Sequence, residues 1–203
     1  MKKTVNVAVL VSGGGTNLQA IIDYAADGNL PSAKLVKVIS SKTDAFALER
    51  AGKVDIPTAV VVKKGKTQEE FEKGLIEELE SCGAEVIVLA GFMCILSKDF
   101  TDRYKDRIIN VHPSLIPSFC GEGFYGLKVH EAALGYGVKV TGATVHFVNE
   151  IPDGGKIIMQ RAVKVKENDT PEKLQKRVME EAEWKILPQS LELVCKNILK
   201  GDK

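Results

Sequence analysis

The sequence predicts an open α/β fold: a mostly parallel, twisted sheet flanked by helices, with an antiparallel C-terminal strand pair and a long final helix. Three observations carry this. Runs such as Val5–Val11 and residues 86–90 are apolar with little polar alternation, as in strands covered on both faces. These runs alternate with helix-patterned segments, and strand–helix repetition implies right-handed crossovers and a parallel sheet. After residue 117 the alternation gives way to a glycine-rich loop and two neighbouring strands.

The elements follow in order. Val5–Val11 reads as a strand and residues 17–26 as a helix. Residues 35–39 form the next strand, 44–51 a helix and 58–62 a strand. Residues 67–82 read as a helix opened by the capping pair Thr67 and Glu70. Residues 86–90 form a strand, 97–104 a short helix and 107–111 the fifth strand. Residues 118–126 are a loop with three aromatics, Phe119, Phe124 and Tyr125, followed by a helix over 127–135. Residues 139–148 and 156–165 pair around the turn 149–155. The last helix opens at Thr170-Pro171-Glu172, with Thr170 as N-cap and Pro171 at the first helical position. It runs to about residue 199 with an expected break at Pro188. No linker or repeat divides residues 1–203, so one domain is the economical reading.

Composition excludes several functions. The chain of 203 residues is 44% hydrophobic and 27% charged, ordinary values for a soluble domain. A net charge of +1 provides no field for nucleic acid or an anionic membrane. No run approaches the ~18 apolar residues of a membrane span. The basic start Met1-Lys2-Lys3 and its short apolar run lack a cleavage site before Gly13-Gly14-Gly15. The chain therefore reads as cytoplasmic. Cys82, Cys94, Cys120 and Cys195 form no C-x-x-C pair, and His112, His130 and His146 are not at zinc spacing, so no metal is expected. Nothing marks an activating partner that would make Cys120 a nucleophile.

Chemistry concentrates in two motifs at the carboxyl edge of the sheet, where open α/β folds bind ligands. In Asn110-Val111-His112-Pro113-Ser114-Leu115-Ile116-Pro117, extended geometry puts Asn110 and His112 on one face. Such a pair can grip a carbonyl oxygen and move a proton beside it. Ile116-Pro117 is a candidate cis peptide. Ser12-Gly13-Gly14-Gly15-Thr16-Asn17-Leu18-Gln19 joins the first strand to the first helix. Its glycines and the helix N-terminus suit a phosphate, with Thr16 and Asn17 adding side-chain donors. It is neither a P-loop nor G-x-G-x-x-G, so a phosphomonoester fits better than a dinucleotide. Asp153-Gly154-Gly155 alone reads as a turn, and gains meaning only if folding brings it to His112. On composition Glu183 reads as one of many exposed acids, and His130 and His146 as hydrogen-bonded structural histidines.

In order, residues 11–21, 89–96, 110–117, 142–148 and 153–155 resemble the phosphoribosylglycinamide formyltransferase family over essentially the whole chain. The resemblance implies the formyltransferase fold. It also implies formyl transfer from 10-formyltetrahydrofolate to the amine of 5'-phosphoribosylglycinamide, a step of purine (IMP) biosynthesis. It implies that Asn110, His112 and Asp153 are catalytic, with Asp153 keeping His112 charged near neutral pH or passing the amine proton towards the leaving nitrogen through water. Gly15, Thr16 and Asn17 would bind phosphate, and Glu183 the ribose. Met93, Cys94, Ile95 and Leu96, with the loop Asn149, Glu150, Ile151, Pro152 and Asp153, would hold the folate. Leu89, Ile95, Leu96, Ile108 and Val148 would line its apolar pocket. Gln68 and Cys94, also placed at the folate, stand where members often carry arginine, so the folate's glutamate tail is held more loosely or by lysines such as Lys63 and Lys64. Trp184 stands where histidine is common. The loop 118–126 is read as a lid. The expected partners are the ribonucleotide and reduced folate, without nucleic acid or membrane, on a monomer or weak homodimer. The competing readings are a formyltetrahydrofolate deformylase and a methionyl-tRNA formyltransferase-like enzyme, which usually carry an extra N-terminal or C-terminal domain respectively. A non-enzymatic nucleotide-binding module is the third.

Overall fold

The computed structural model describes residues 3–201; Met1 and Lys2 of the basic start lie outside them. The described strands form one sheet in the order β3-β2-β1-β4-β5-β6-β7. Strands β1 (Val5–Val11), β2 (Ala33–Ser40), β3 (Thr58–Val60), β4 (Val86–Leu89) and β5 (Ile108–His112) run parallel. Strands β6 (Val140–Phe147) and β7 (Ile157–Lys164) complete the sheet. The β5–β6 pairing is antiparallel as well as β6–β7, so the expected strand pair is an antiparallel extension of β5. At the edge, β3 is three residues long, shorter than its apolar run suggested.

Alternation along β1 divides the core. Val5, Val7, Val9 and Val11 face a cluster with Leu18 and Ile21 of α1 (Thr16–Ala26) and Leu187 and Leu191 of α7 (Trp184–Lys200). Ala8 and Leu10 face the other side, with Phe71 and Leu75 of α3 (Gln68–Ser81) and Phe100 of α4 (Lys98–Arg103). The six residues of α4 are too few for a helix to persist alone. Burial of Phe100, worth roughly 1.5–3 kcal/mol, and the Ser97 cap, which accepts from the Phe100 N–H at 3.2 Å, hold it. Thr67 and Glu70 form the expected reciprocal box at the start of α3. The remaining helices are α2 (Phe46–Gly52), α5 (Leu127–Tyr136) and α6 (Pro171–Val178).

The C-terminal helix departs from expectation. Its irregularity is a π turn at Met179–Glu183, not a break at Pro188, which sits inside α7. Pro188 has no N–H for the carbonyl of Trp184, yet the helical run is continuous through it from Pro171 to Lys200. The π turn places Ala182 and Glu183 inside the protein. No described helix is long and apolar enough to cross a membrane.

Candidate active site

Strand order reverses between β1 and β4, and the site opens beyond their carboxyl ends, as expected for an open sheet. The loop after β1 and the loop after β4 are tied together there. Ser12 Oγ shares a hydrogen bond with Ser41 Oγ (2.7 Å) and accepts one from the Met93 N–H (2.9 Å). Next along the sheet, β5 ends at Asn110-Val111-His112. The β5–β6 register sets Asn110 opposite His146 and His112 opposite Thr144. Opposed residues of antiparallel strands share a face, so His146 joins the pair. Asn110 Nδ2 lies 3.3 Å from His146 Nε2. The turn after β6 brings Asp153 back over both rings. Its Oδ2 lies 3.3 Å from His112 Nδ1 and its Oδ1 3.5 Å from His146 Nε2. Close packing shapes this turn. A Cβ on Gly155 would come within 1.7 Å of the Phe147 carbonyl oxygen, so no other residue fits. Ile116-Pro117 is cis.

The loop 118–126 closes on the same residues. The Phe119 carbonyl lies 2.8 Å from His112 Nε2, and the Gly121 N–H donates to Asp153 Oδ2 (2.9 Å). A carbonyl only accepts, so His112 Nε2 carries the ring's proton and Nδ1 faces Asp153. His146 Nδ1 likewise donates to the Phe147 carbonyl (2.8 Å).

Burial governs the charges. His112 is 4% exposed. Burial pushes its imidazole below the usual value, opposed by the Asp153 carboxylate and the Phe119 carbonyl and reinforced by His146. Desolvation and the carboxylate thus act on His112 in opposite directions, with burial the larger of the two. Burial alone would raise Asp153, but the His146 ring, the His112 ring and the Gly121 N–H hold it below the usual carboxylate range. Burial pushes Glu183 up, against a hydrogen bond from Asn17. His130 is fully buried and falls to about 4 through burial, with His112 adding to the shift. Burial and the Asp153 charge push the Cys120 thiol up, and Cys120 Sγ donates to the Pro117 carbonyl (3.3 Å). It is a resting thiol, not a nucleophile.

Two cavities meet at Asn110 and Asp153. A small one of about 130 Å³ is lined by Leu89, Leu96, Val148 and the loop 149–153. A larger one of about 830 Å³ extends from Met93 and Ile95, past His112, to Asn17 and Glu183. Met93, Ile95 and Ile151 are exposed apolar side chains around the openings. At the far end Asn17 Nδ2 donates to Glu183 Oε2 (2.9 Å), while Asn17 Oδ1 is buried without a partner. An orphaned buried acceptor lining a cleft suits a ligand that donates.

Residues 5–191 match the Formyl transferase family. The chain belongs to the formyl transferase family. It is 42% identical over 189 residues to a phosphoribosylglycinamide formyltransferase of Haemophilus influenzae, covering 93% of this chain and 84% of that protein. It is 46% identical to the human trifunctional purine biosynthetic protein adenosine-3, covering 96% of this chain but spanning only 19% of that protein's length. The crystal structure of glycinamide ribonucleotide transformylase 1 from Symbiobacterium toebii superposes with a TM-score of 0.89 at 37% identity, covering 97% of this chain and 90% of that one.

In this formyl transferase the fold gathers Asn110, His112, Asp153, Asn17 and Glu183 around one cleft. Several expectations change. Thr16 turns away from it, into a separate groove with Gln19, Arg50 and Trp184, because successive helix residues point about 100° apart. Gly15 packs on Ala47 in a left-handed conformation and lines neither cavity. Gln68 is a strut: its Nε2 donates to the Ile95 carbonyl (3.0 Å) and to Glu72 Oε1 (2.6 Å), and it lines neither cavity. Ile108 is fully buried in the core, and Phe92 takes a place in the apolar lining instead. Lys63 lies over the Phe71 ring. Sequence reasoning missed two groups that meet the site residues, His146 and the backbone of 119–121. Only the β5–β6 register could have revealed His146.

Proposed function

We propose that this chain transfers the formyl group of 10-formyltetrahydrofolate to the primary amine of 5'-phosphoribosylglycinamide. The observation that carries this is a single cleft in which Asn110, His112 and Asp153 stand between an apolar mouth and the Asn17–Glu183 end. The apolar cavity by Leu96 and Val148 suits the flat folate ring, with backbone groups of 93–96 and 149–153 at its rim. At the other end, α1 begins with unpaired N–H groups and the positive end of its dipole, which suit the phosphate. Glu183, made less acidic by burial, suits ribose hydroxyls. The relatives named for this reaction support the same reading.

The residues divide the work. A neutral amine is already nucleophilic, so no covalent enzyme intermediate is needed. Negative charge develops on the formyl oxygen. Asn110 Nδ2 and His112 Nε2–H are the donors for it. The oxygen takes the place that the Phe119 carbonyl holds on His112, so the loop 118–126 gives up this contact when substrate is bound. Losing one such donor typically costs ~3–4 kcal/mol of barrier. Growing charge on the oxygen opposes the desolvation that lowers the His112 pKa, and a proton on Nδ1 meets Asp153 as an ion pair. One proton passes from the amine to the leaving folate nitrogen, with the Asp153–His112 pair holding it in transit. Alignment of the two substrates is worth roughly 7–11 kcal/mol at best.

The test is to mix the protein with both substrates and follow deformylated folate and formylated amine. Equal yields of the two support the proposal. Formate release without the amine acceptor supports a deformylase instead, and no turnover leaves a binding module.

A further inference from the structure

The loop between β1 and α1 rests on a support that the reaction itself does not use. Arg50, on α2, donates through Nε to the Gly14 carbonyl (2.8 Å) and through Nη1 to Gln19 Oε1 (3.0 Å). Gln19 is oriented in turn, because its Nε2 donates to Asp23 Oδ1 (2.8 Å). The guanidinium lies 5.0 Å from the centre of the Phe46 ring. Three residues earlier on α2, the Ala47 N–H donates to the Gly13 carbonyl (3.1 Å). The Ala47 methyl fills the space beside Gly15, where an added Cβ would come within 2.6 Å. Helix α2 thus grips two successive carbonyls of the loop and closes off the space beside its third glycine.

This grip has a direction. A planar trans peptide points its C=O and N–H opposite ways. Carbonyls 13 and 14 point at α2, so the N–H groups of Gly14 and Gly15 point away from it. There they can add to the unpaired N–H groups of the first turn of α1. Arg50 also places a fixed positive charge beside the loop without occupying any of those donors. Its fork makes two bonds at once, which a lysine cannot match.

We propose that Arg50 is a positioning residue that sets the affinity for the acceptor's phosphate, acting through the Gly14 peptide. The inference rests on the acceptor being a sugar phosphate. The experiment therefore measures binding of ribose 5-phosphate to the whole protein by calorimetry, which needs no turnover, and then steady-state kinetics with both substrates. Arg50→Gln should weaken ribose 5-phosphate by roughly tenfold, the factor typical of one lost hydrogen bond to a charged group. It should raise KM for the ribonucleotide by the same factor and leave kcat and the folate KM unchanged. Arg50→Lys keeps the charge and should recover part of the loss. Gln19→Leu removes only the orienting partner and should shift binding in the same direction by less, which covers the case of Arg50→Gln failing to fold. Unchanged ribose 5-phosphate binding in Arg50→Gln, or in Gln19→Leu where Arg50→Gln does not fold, overturns the proposal. So does equal loss for folate and ribonucleotide, or a fall confined to kcat. If the native protein binds ribose 5-phosphate but transfers no formyl group, the proposed reaction fails while Arg50 is still judged by binding. If the native protein binds no ribose 5-phosphate at all, Arg50 has no phosphate to position and the inference falls.

Discussion

Replacing His130 with leucine should change stability little at neutral pH and make the protein more acid-resistant than the native chain. The ring is fully buried on α5, and neither ring nitrogen has a hydrogen-bond partner. Leucine therefore breaks no bond, and a swap of similar volume usually costs less than about 1.5 kcal/mol. Acid is different. Burial lowers the ring from 6.5 to about 4. Between those values the unfolded chain binds a proton that the folded chain refuses, so stability falls as pH falls through that window. At ~1.4 kcal/mol per unit, the loss assigned to this one ring approaches roughly 3 kcal/mol, most of it complete by about pH 4.5. Other groups, Asp153 among them, titrate in both proteins and cancel in the comparison. Urea unfolding of both proteins at pH 7 and pH 4.5 measures the difference. Native protein and variant losing equal stability between the two pH values would refute the reasoning, and would mean that His130 finds a partner in solution.

Other outcomes follow from the same geometry. His112→Ala should lower kcat by about 10²–10³, the cost of one oxyanion donor, with little change in either substrate's binding; single-turnover kinetics separate the two. Asp153→Asn removes the charge that raises the His112 pKa, so the acidic limb of the kcat/KM profile should move to lower pH, and an unmoved limb would detach the two residues. Gly155→Ala cannot be accommodated beside the Phe147 carbonyl. It should destabilise the turn that carries Asp153 and lower both thermal stability and kcat; a normal melting temperature would contradict the packing described.

Most of the sheet was legible because fully covered strands are written as unbroken Val and Ile runs, and because capping is local. Thr67 with Glu70, and Thr170 with Pro171, act within one turn of chain and appear as read. The break assigned to Pro188 is absent, since the helical run continues through it; the irregularity is the π turn at Met179–Glu183, where Ala182 and Glu183 are buried, and tertiary burial is not written in local spacing. Gln68 was read as a binding residue from its position in a resemblance. Its amide is consumed by Glu72 and Ile95, partners that no spacing in the chain reveals.

By itself the sequence determined the strand and helix alternation, the extended Asn110–His112 face and the glycine turn after β1, since these depend on neighbours a few residues apart. The tertiary structure alone decided that His146 faces Asn110, that Asp153 reaches both rings, and that Thr16 leaves the cleft while Asn17 enters it. It also decided the surroundings that tune His112. Desolvation and a carboxylate pull that ring in opposite directions, and only the depth of burial says which prevails.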